Sequence, residues 1–258
     1  MAALEVICIK NSYLEFYHYM KISLIVYVLL LLSYPCFCQT ETLTKKWSVG
    51  VNASLDINDR KLIVREKNTT NENIAKSRNV REVRKPGYAF SIRIVRELAP
   101  IFVIESGIGY ANMGFQTARE LLFPYSQTPV SPIGTYKNIY KFHYIELPLL
   151  LTATTRYRKM QFFLSGGIIN QLLIKSTSIT IDKFNDGNKK RNTVEDKTNY
   201  NKCNMALALQ FGANYHIDKN SFLKIGTMLR YDMLDIIDAP ITAKLWGAGI
   251  QIGYYRNF

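Results

Sequence analysis

The sequence predicts an all-β chain: an eight-stranded antiparallel up-and-down transmembrane barrel, with short periplasmic turns at one end and long external loops at the other. Three observations carry this. Several segments alternate bulky apolar side chains with small or polar ones at period two, the spacing of a strand rather than of a helix. The connections between them, 56–86, 96–100, 115–141, 155–159, 175–203, 218–221 and 232–244, run long and short in strict alternation. Short turns on one side of a membrane and long loops on the other produce that pattern. Aromatics stand at the ends of the bulky face: Trp47, Tyr88, Tyr110, Tyr215, Tyr231, Trp246 and Phe258, where interfacial girdles place them.

The chain begins with a segment that does not belong to the barrel. Ile22 to Leu32 is apolar apart from Ser23, too short to span a bilayer and suited to a signal-peptide core. Met20-Lys21 supplies a basic start, and small residues at Cys36 and Cys38 place the cleavage before Gln39. We therefore expect residues 1–19 to be a mis-annotated extension, 20–38 a signal peptide and 39–258 the barrel domain. A lipoprotein anchored through Cys36 or Cys38 is the rival, but Pro35 and Phe37 stand where a lipobox wants something small. Cys8, Cys36 and Cys38 leave with the leader, so Cys203 alone remains and neither a disulfide nor a cysteine metal site is available to the mature chain.

The strands follow in order. Residues 47–55 oppose Trp47, Val49, Val51 and Leu55 to Ser48, Gly50, Asn52 and Ser54, and 87–95 oppose Tyr88, Phe90, Ile92 and Ile94 to Gly87, Ala89, Ser91 and Arg93. Residues 101–114 are less clean, because Ile101 and Val103 join the face of Glu105, Gly107 and Gly109. Residues 142–154 set Ile145, Leu147, Leu149 and Leu151 against Tyr144, Glu146 and Thr152; 160–174 are apolar on both faces at Phe162-Phe163. Residues 204–217 sort completely, Met205, Leu207, Leu209, Phe211 and Tyr215 against Asn204, Gln210, Gly212 and Asn214. Residues 222–231 and 245–258 repeat the pattern, with Lys224, Gly226, Met228 and Arg230 on one small or polar face and Gly247, Gly249, Gln251 and Gly253 on the other.

Alternation alone does not say which face meets lipid, since a soluble lipocalin-like barrel alternates too. The small-residue face suits the crowded interior of eight strands. Together with the aromatic ends of the bulky face and the terminal Phe258, it favours the membrane barrel. A mean hydropathy of −0.06 is too polar for a helical membrane bundle, while 48% hydrophobic residues exclude a disordered chain.

The run Tyr144-Ile145-Glu146-Leu147-Pro148-Leu149-Leu150 resembles the Tyr-x-Glu-x-Pro-Leu-Leu strand of the PorT-like outer-membrane β-barrel family of Gram-negative bacteria. The resemblance covers about Trp47 to Phe258. It implies a small outer-membrane barrel and, through some members, gliding or protein secretion; most members have no assigned activity. The C-terminus resembles the signal read by the barrel-insertion machinery, with Gln251, Gly253 and Phe258 matching and Arg256 standing where an aromatic is usual.

Catalytic motifs are absent: no His-x-x-x-His, Cys-x-x-Cys, Walker-type or Gly-x-Ser-x-Gly pattern occurs. No catalytic residue, cofactor or metal ligand is assigned. Gly107-Ile108-Gly109 and Gly247-Ala248-Gly249 are expected to make interior room. His143, with Ser126 or Ser131 in the preceding loop, is the only seed for an outer-membrane lipid enzyme; a girdle histidine is the simpler reading, and His216 is expected to be structural.

A net charge of +13 concentrates in the loops. The 56–86 loop is rich in Lys and Arg, with Asp56, Asp59, Glu66, Glu72 and Glu82 as its acids, and Lys189-Lys190-Arg191 lies in another. Loops outside the cell do not meet nucleic acid. Phosphate-bearing lipopolysaccharide is the anion they face, with solvated charge and no ligand the plain alternative.

Inside, Arg93, Lys224 and Arg230 accompany Glu105 and Glu146. Isolated buried charges are costly, so this cluster should pair. A hairpin centred on Ala99 would set Arg93 opposite Glu105, with Tyr144, Phe163, Met228 and Gln210 filling the rest. The expected function is non-enzymatic: a structural or accessory membrane component serving secretion or surface assembly. A small solute channel and a lipid-modifying enzyme are the alternatives. The expected partners are outer-membrane lipid, lipopolysaccharide, the insertion machinery and secretion-system proteins.

Overall fold

The computed structural model describes residues 47–124, 131–155, 159–195 and 200–258. The expected extension, the signal peptide, its cleavage site before Gln39, and Ser126 lie outside these residues. The elements are β1 (Trp47–Val64), α1 (Thr69–Arg81), β2 (Glu82–Val83), β3 (Lys85–Ala99), β4 (Phe102–Thr117), β5 (Glu120–Leu122), β6 (Gly134–Thr154), β7 (Met160–Phe184), β8 (Lys189–Glu195), β9 (Cys203–His216), β10 (Ser221–Asp232) and β11 (Ile241–Asn257).

Eight of the strands form a closed antiparallel ring, β1-β3-β4-β6-β7-β9-β10-β11. It closes where β11 pairs with β1, from Ser48↔Asn257 to Val64↔Ile241. Closure leaves no unpaired edge in the ring, which is what a strand structure in hydrocarbon demands. The hydrogen bond from the Phe258 amide to the Trp47 carbonyl, 2.8 Å, completes the seam.

The outward face is apolar and open: Leu55 is 76% exposed and Ile250 65%, and Val51, Phe90, Ile92, Ile108, Leu207 and Phe211 stand out with them. The inward face buries Arg93, Glu105, Glu146, Lys224 and Arg230. A soluble barrel has the reverse arrangement, and this much exposed apolar surface requires a nonaqueous partner. The lipocalin-like alternative is thereby excluded.

Three boundaries differ most from the sequence pattern. β1, β6 and β7 run well past the ends that the alternation marks, to Val64, back to Gly134 and on to Phe184. Beyond the lipid-facing band the outer side need not be apolar, so alternation fades while the ladder continues. The expected 56–86 loop is in fact the end of β1, then α1, then β2. Asn68 caps α1, its side chain accepting from the Asn71 amide at 2.7 Å, with Glu72 in the first turn and Arg78 and Arg81 in the last, which suits the helix dipole. Only Ala75 of α1 is buried, so its polarity hid it from a search for apolar periodicity.

The β3–β4 register also differs. Glu105 faces Val95, and Arg93 faces Gly107. The chain reverses at Pro100-Ile101 and not at Ala99, and a register shift between Glu97 and Ala99 carries the pairing along. Arg93 and Glu105 are therefore diagonal neighbours on one face, which long side chains still bridge.

Candidate functional site

The site with the most built chemistry is the lumen, which fills in layers. In the half nearer the short turns, Glu105 receives Arg93 Nη1 at 3.3 Å and Lys224 Nζ on its other oxygen. Thr152 Oγ1 also donates to Glu105, at 2.9 Å. Lys224, 2% exposed, rests its ammonium 4.4 Å from the centroid of Phe163, a cation–π contact. Gly226 makes this possible, because a Cβ there would meet Phe163 Cζ at 2.8 Å.

A second cluster lies nearer the long loops. Arg230, 3% exposed, donates from Nη1 to Glu146 Oε1 at 2.9 Å and from Nη2 to Asp56 Oδ2 at 2.8 Å. Gln171 Nε2 also donates to Glu146, at 3.1 Å. Gly247 and Gly249 of β11 open the space: a Cβ at Gly249 would run into Asp56 Oδ1, and one at Gly247 would reach Arg230 Cγ at 3.3 Å. These two glycines thus have the room-making role expected of them. Gly107 and Gly109 differ, because a Cβ on either would strike the β3 backbone.

The sequence pattern leaves Asp56 in a loop, and the structure places it otherwise. It belongs to β1 and points inward. The signal was present, since Ser48, Gly50, Asn52 and Ser54 continue in step to Asp56 while Leu55 and Ile57 stay outside. With Asp56 included, Arg93, Lys224 and Arg230 balance Glu105, Glu146 and Asp56. The first cluster carries one excess positive charge and the second one excess negative charge.

Above the charges lies an apolar layer. Met113, Phe115, Phe142, Tyr144 and Leu245 are buried together, with Phe115 stacked on Tyr140 at 4.7 Å. Arg60 lies over Phe115 at 4.5 Å and pairs with Glu82. Between Lys224 and Arg230 on β10, Met228 lies level with Gln210; Gln251 Nε2 donates to Gln210 Oε1 at 2.9 Å, and Gln210 Nε2 approaches Met228 Sδ at 3.3 Å. Tyr144, Phe163, Met228 and Gln210, the expected fillers, are all buried.

The residues resembling an insertion signal also have places in the folded barrel. Gln251 is in the lumen. Gly253 and Gly50 leave room for the Tyr255 ring, since a Cβ at Gly253 would meet Tyr255 Cε2 at 2.7 Å. Phe258 is 76% exposed. In the Tyr144–Leu150 strand, Tyr144, Glu146 and Leu150 point inward and Leu147 outward, so its polar residues are lumen residues. Pro148, which cannot donate to the ladder, accepts at its carbonyl from Ser106 Oγ at 3.1 Å.

His143 lies on the outer face in the girdle row Tyr88–Asn112–His143. Its Nδ1 is hydrogen-bonded to the Tyr110 hydroxyl and lies 3.2 Å from Asn112 Nδ2. No hydrogen bond joins it to Ser131 among the described residues. His216 packs on Phe222 at 5.4 Å. No cluster of three or more His, Cys, Asp or Glu fit for a metal occurs among the described residues.

A family model described as an outer membrane protein β-barrel domain matches residues 37–233. Among curated proteins none matches. Similar solved structures include Neisserial surface protein A, at 10% identity and a TM-score of 0.42 over 82% of this chain and 97% of that one. The outer membrane protease OmpT from Escherichia coli is 12% identical, with a TM-score of 0.39 over 85% and 100%. The attachment invasion locus protein Ail of Yersinia pestis, solved with the heparin analogue sucrose octasulfate, is 11% identical, with a TM-score of 0.30 over 81% and 98%.

Proposed function

The chain belongs to the outer membrane protein β-barrel domain family, and from that premise we propose that it is a non-enzymatic structural or accessory component of the outer membrane, serving secretion or surface assembly as the resemblance to some PorT-like members implies. The supporting observation is the filled lumen. Three cations and three carboxylates pair across it, and Met113, Phe115, Phe142, Tyr144 and Leu245 pack above them. Water and ions crossing the barrel would have to break the ion pairs and part the aromatics. Work is then left to the surfaces: the lipid-facing wall and the long-loop end, where α1, β5 and β8 project.

In this reading the short turns and both termini face the periplasm, and α1 and β8 face the exterior. Gln251, Gly253 and Phe258 engage the insertion machinery before they take their folded places. The test is to pull the protein, tagged in the β8 turn, from gently solubilised membranes and identify what accompanies it. Secretion or surface-assembly proteins are the expected companions. A solitary barrel with unaltered secretion and surface composition on gene deletion would overturn the reading, and so would turnover of a lipid substrate that a His143→Ala variant loses.

A further inference from the structure

We propose that the outward face where β6 and β7 leave the apolar band is a binding site for the phosphates of lipopolysaccharide in the surrounding leaflet. The inference rests on the reading that the long-loop end faces the exterior.

Strand register places the charges. His143 pairs with Lys175, Lys141 with Thr177, and Lys137 with Ile181. Ile181 pairs in turn with Arg191, and Lys183 with Lys189. Directly paired residues share a face, so Lys137, Lys141, Lys175, Lys183, Lys189 and Arg191 lie on one side of the projecting sheet. Glu195, paired with Thr177, is the carboxylate that the register sets among them, and it forms an ion pair with Lys175. Five positive charges remain in excess.

That face continues the lipid-facing wall. A groove runs from the girdle residues Tyr88 and Tyr110, past His143, to Lys141, Lys175 and Arg191, floored by Ile139 and Ile179. Lys85 joins it from β3, with Nζ held 2.7 Å from Asn112 Oδ1. The bulge between His143 and Tyr144 bends the sheet at this level. Acyl chains would lie against Ile145, Leu147 and Leu172 below the girdle, leaving headgroup phosphates level with the cations. Apolar wall, aromatic belt and cation cluster therefore follow the order of a phosphorylated glycolipid from tail to head. A soluble anion would use only the last of the three.

The test uses the full-length protein in detergent, shown to be folded by its faster migration when unheated. Native mass spectrometry follows titration with lipopolysaccharide, with the same lipid enzymatically dephosphorylated, with phosphatidylglycerol and with inorganic phosphate. We expect lipopolysaccharide to bind and the other three to bind weakly. Lys141→Gln/Lys175→Gln/Arg191→Gln should lower affinity by at least about tenfold, given the contribution of each basic residue beside an anionic surface. Lys67→Gln/Lys76→Gln/Lys190→Gln removes equal charge elsewhere at the same end and should leave affinity unchanged. Equal loss in both variants, no loss in the first, or equal binding of phosphatidylglycerol would overturn the site. Orientation is read separately: in a Cys203→Ser background, Lys190→Cys should react with a membrane-impermeant maleimide on intact cells. An unlabelled cysteine refutes the orientation, while the titration judges the groove.

Discussion

Asp56 and Arg230 are 174 positions apart in the chain and meet at 2.8 Å inside the barrel. Both side chains are almost fully buried. The contact exists only because β1 closes on β11, which in turn pairs with β10. It gives Arg230 a second carboxylate beside Glu146.

Asp56→Ala leaves Arg230 with Glu146 as its one remaining ion-pair partner among the described residues, in a site built by glycines for two carboxylates. We expect a loss of about 3–5 kcal/mol, the usual effect of removing one partner from a buried pair. Urea unfolding in detergent or lipid reads it directly, and an unchanged midpoint would show that water already serves Arg230.

Glu105 serves two cations at once. Glu105→Ala should therefore cost at least as much as Asp56→Ala, about 3–5 kcal/mol or more. The double variant Glu105→Met/Lys224→Met should recover part of that loss, because it leaves one orphaned cation, Arg93, where Glu105→Ala leaves two. Additive losses in the double variant would count against the pairing.

The glycines offer a test without any change of charge. Gly249→Ala forces a methyl against Asp56 and the Leu55 carbonyl, and overpacking of this kind costs about 1–3 kcal/mol. Gly166 faces open space, with nothing within 4 Å of a Cβ, so Gly166→Ala should be neutral. Equal behaviour of the two would contradict the packing described.

A filled lumen should not conduct. Purified protein in a planar bilayer is expected to show no steady ohmic current, and a stable open level in the wild type would refute the sealed lumen. The same preparation should resist SDS until boiled.

Outside the membrane, the Ser221 hydroxyl and the Asn220 amide donate to the Asp218 carboxylate at 2.6 and 2.7 Å. The Ser221 bond, with the Asn220 amide second, holds the Asp218 pKa below the usual carboxylate value. A lowered folded pKa means that the turn's stabilisation is present above the ordinary carboxylate range and is lost as pH falls through the lowered value. NMR titration should find the Asp218 midpoint below that of an unstructured peptide, and Ser221→Ala should raise it.

Which side of the barrel wall a residue faces is legible in the order of the residues. Side-chain direction alternates along a strand whatever its partners are, so parity puts Arg93, Glu105, Glu146, Lys224 and Arg230 on the small-residue face, and the small residues and the aromatic ends of the bulky face identify it as the interior. Local turn chemistry marked the Asp218–Asn220 reversal in the same way. Parity stops being visible where the outer face leaves lipid and need no longer be apolar. That is why the ends of β1, β6 and β7 were missed, and with them Asp56 and the basic face of the projecting sheet. Which residue meets which was a tertiary decision. The reversal at Pro100-Ile101 set Arg93 diagonal to Glu105, and closure of β1 on β11 brought Asp56 to Arg230. Partners in a closed barrel depend on the stagger of all its strands together, a quantity that no single strand encodes.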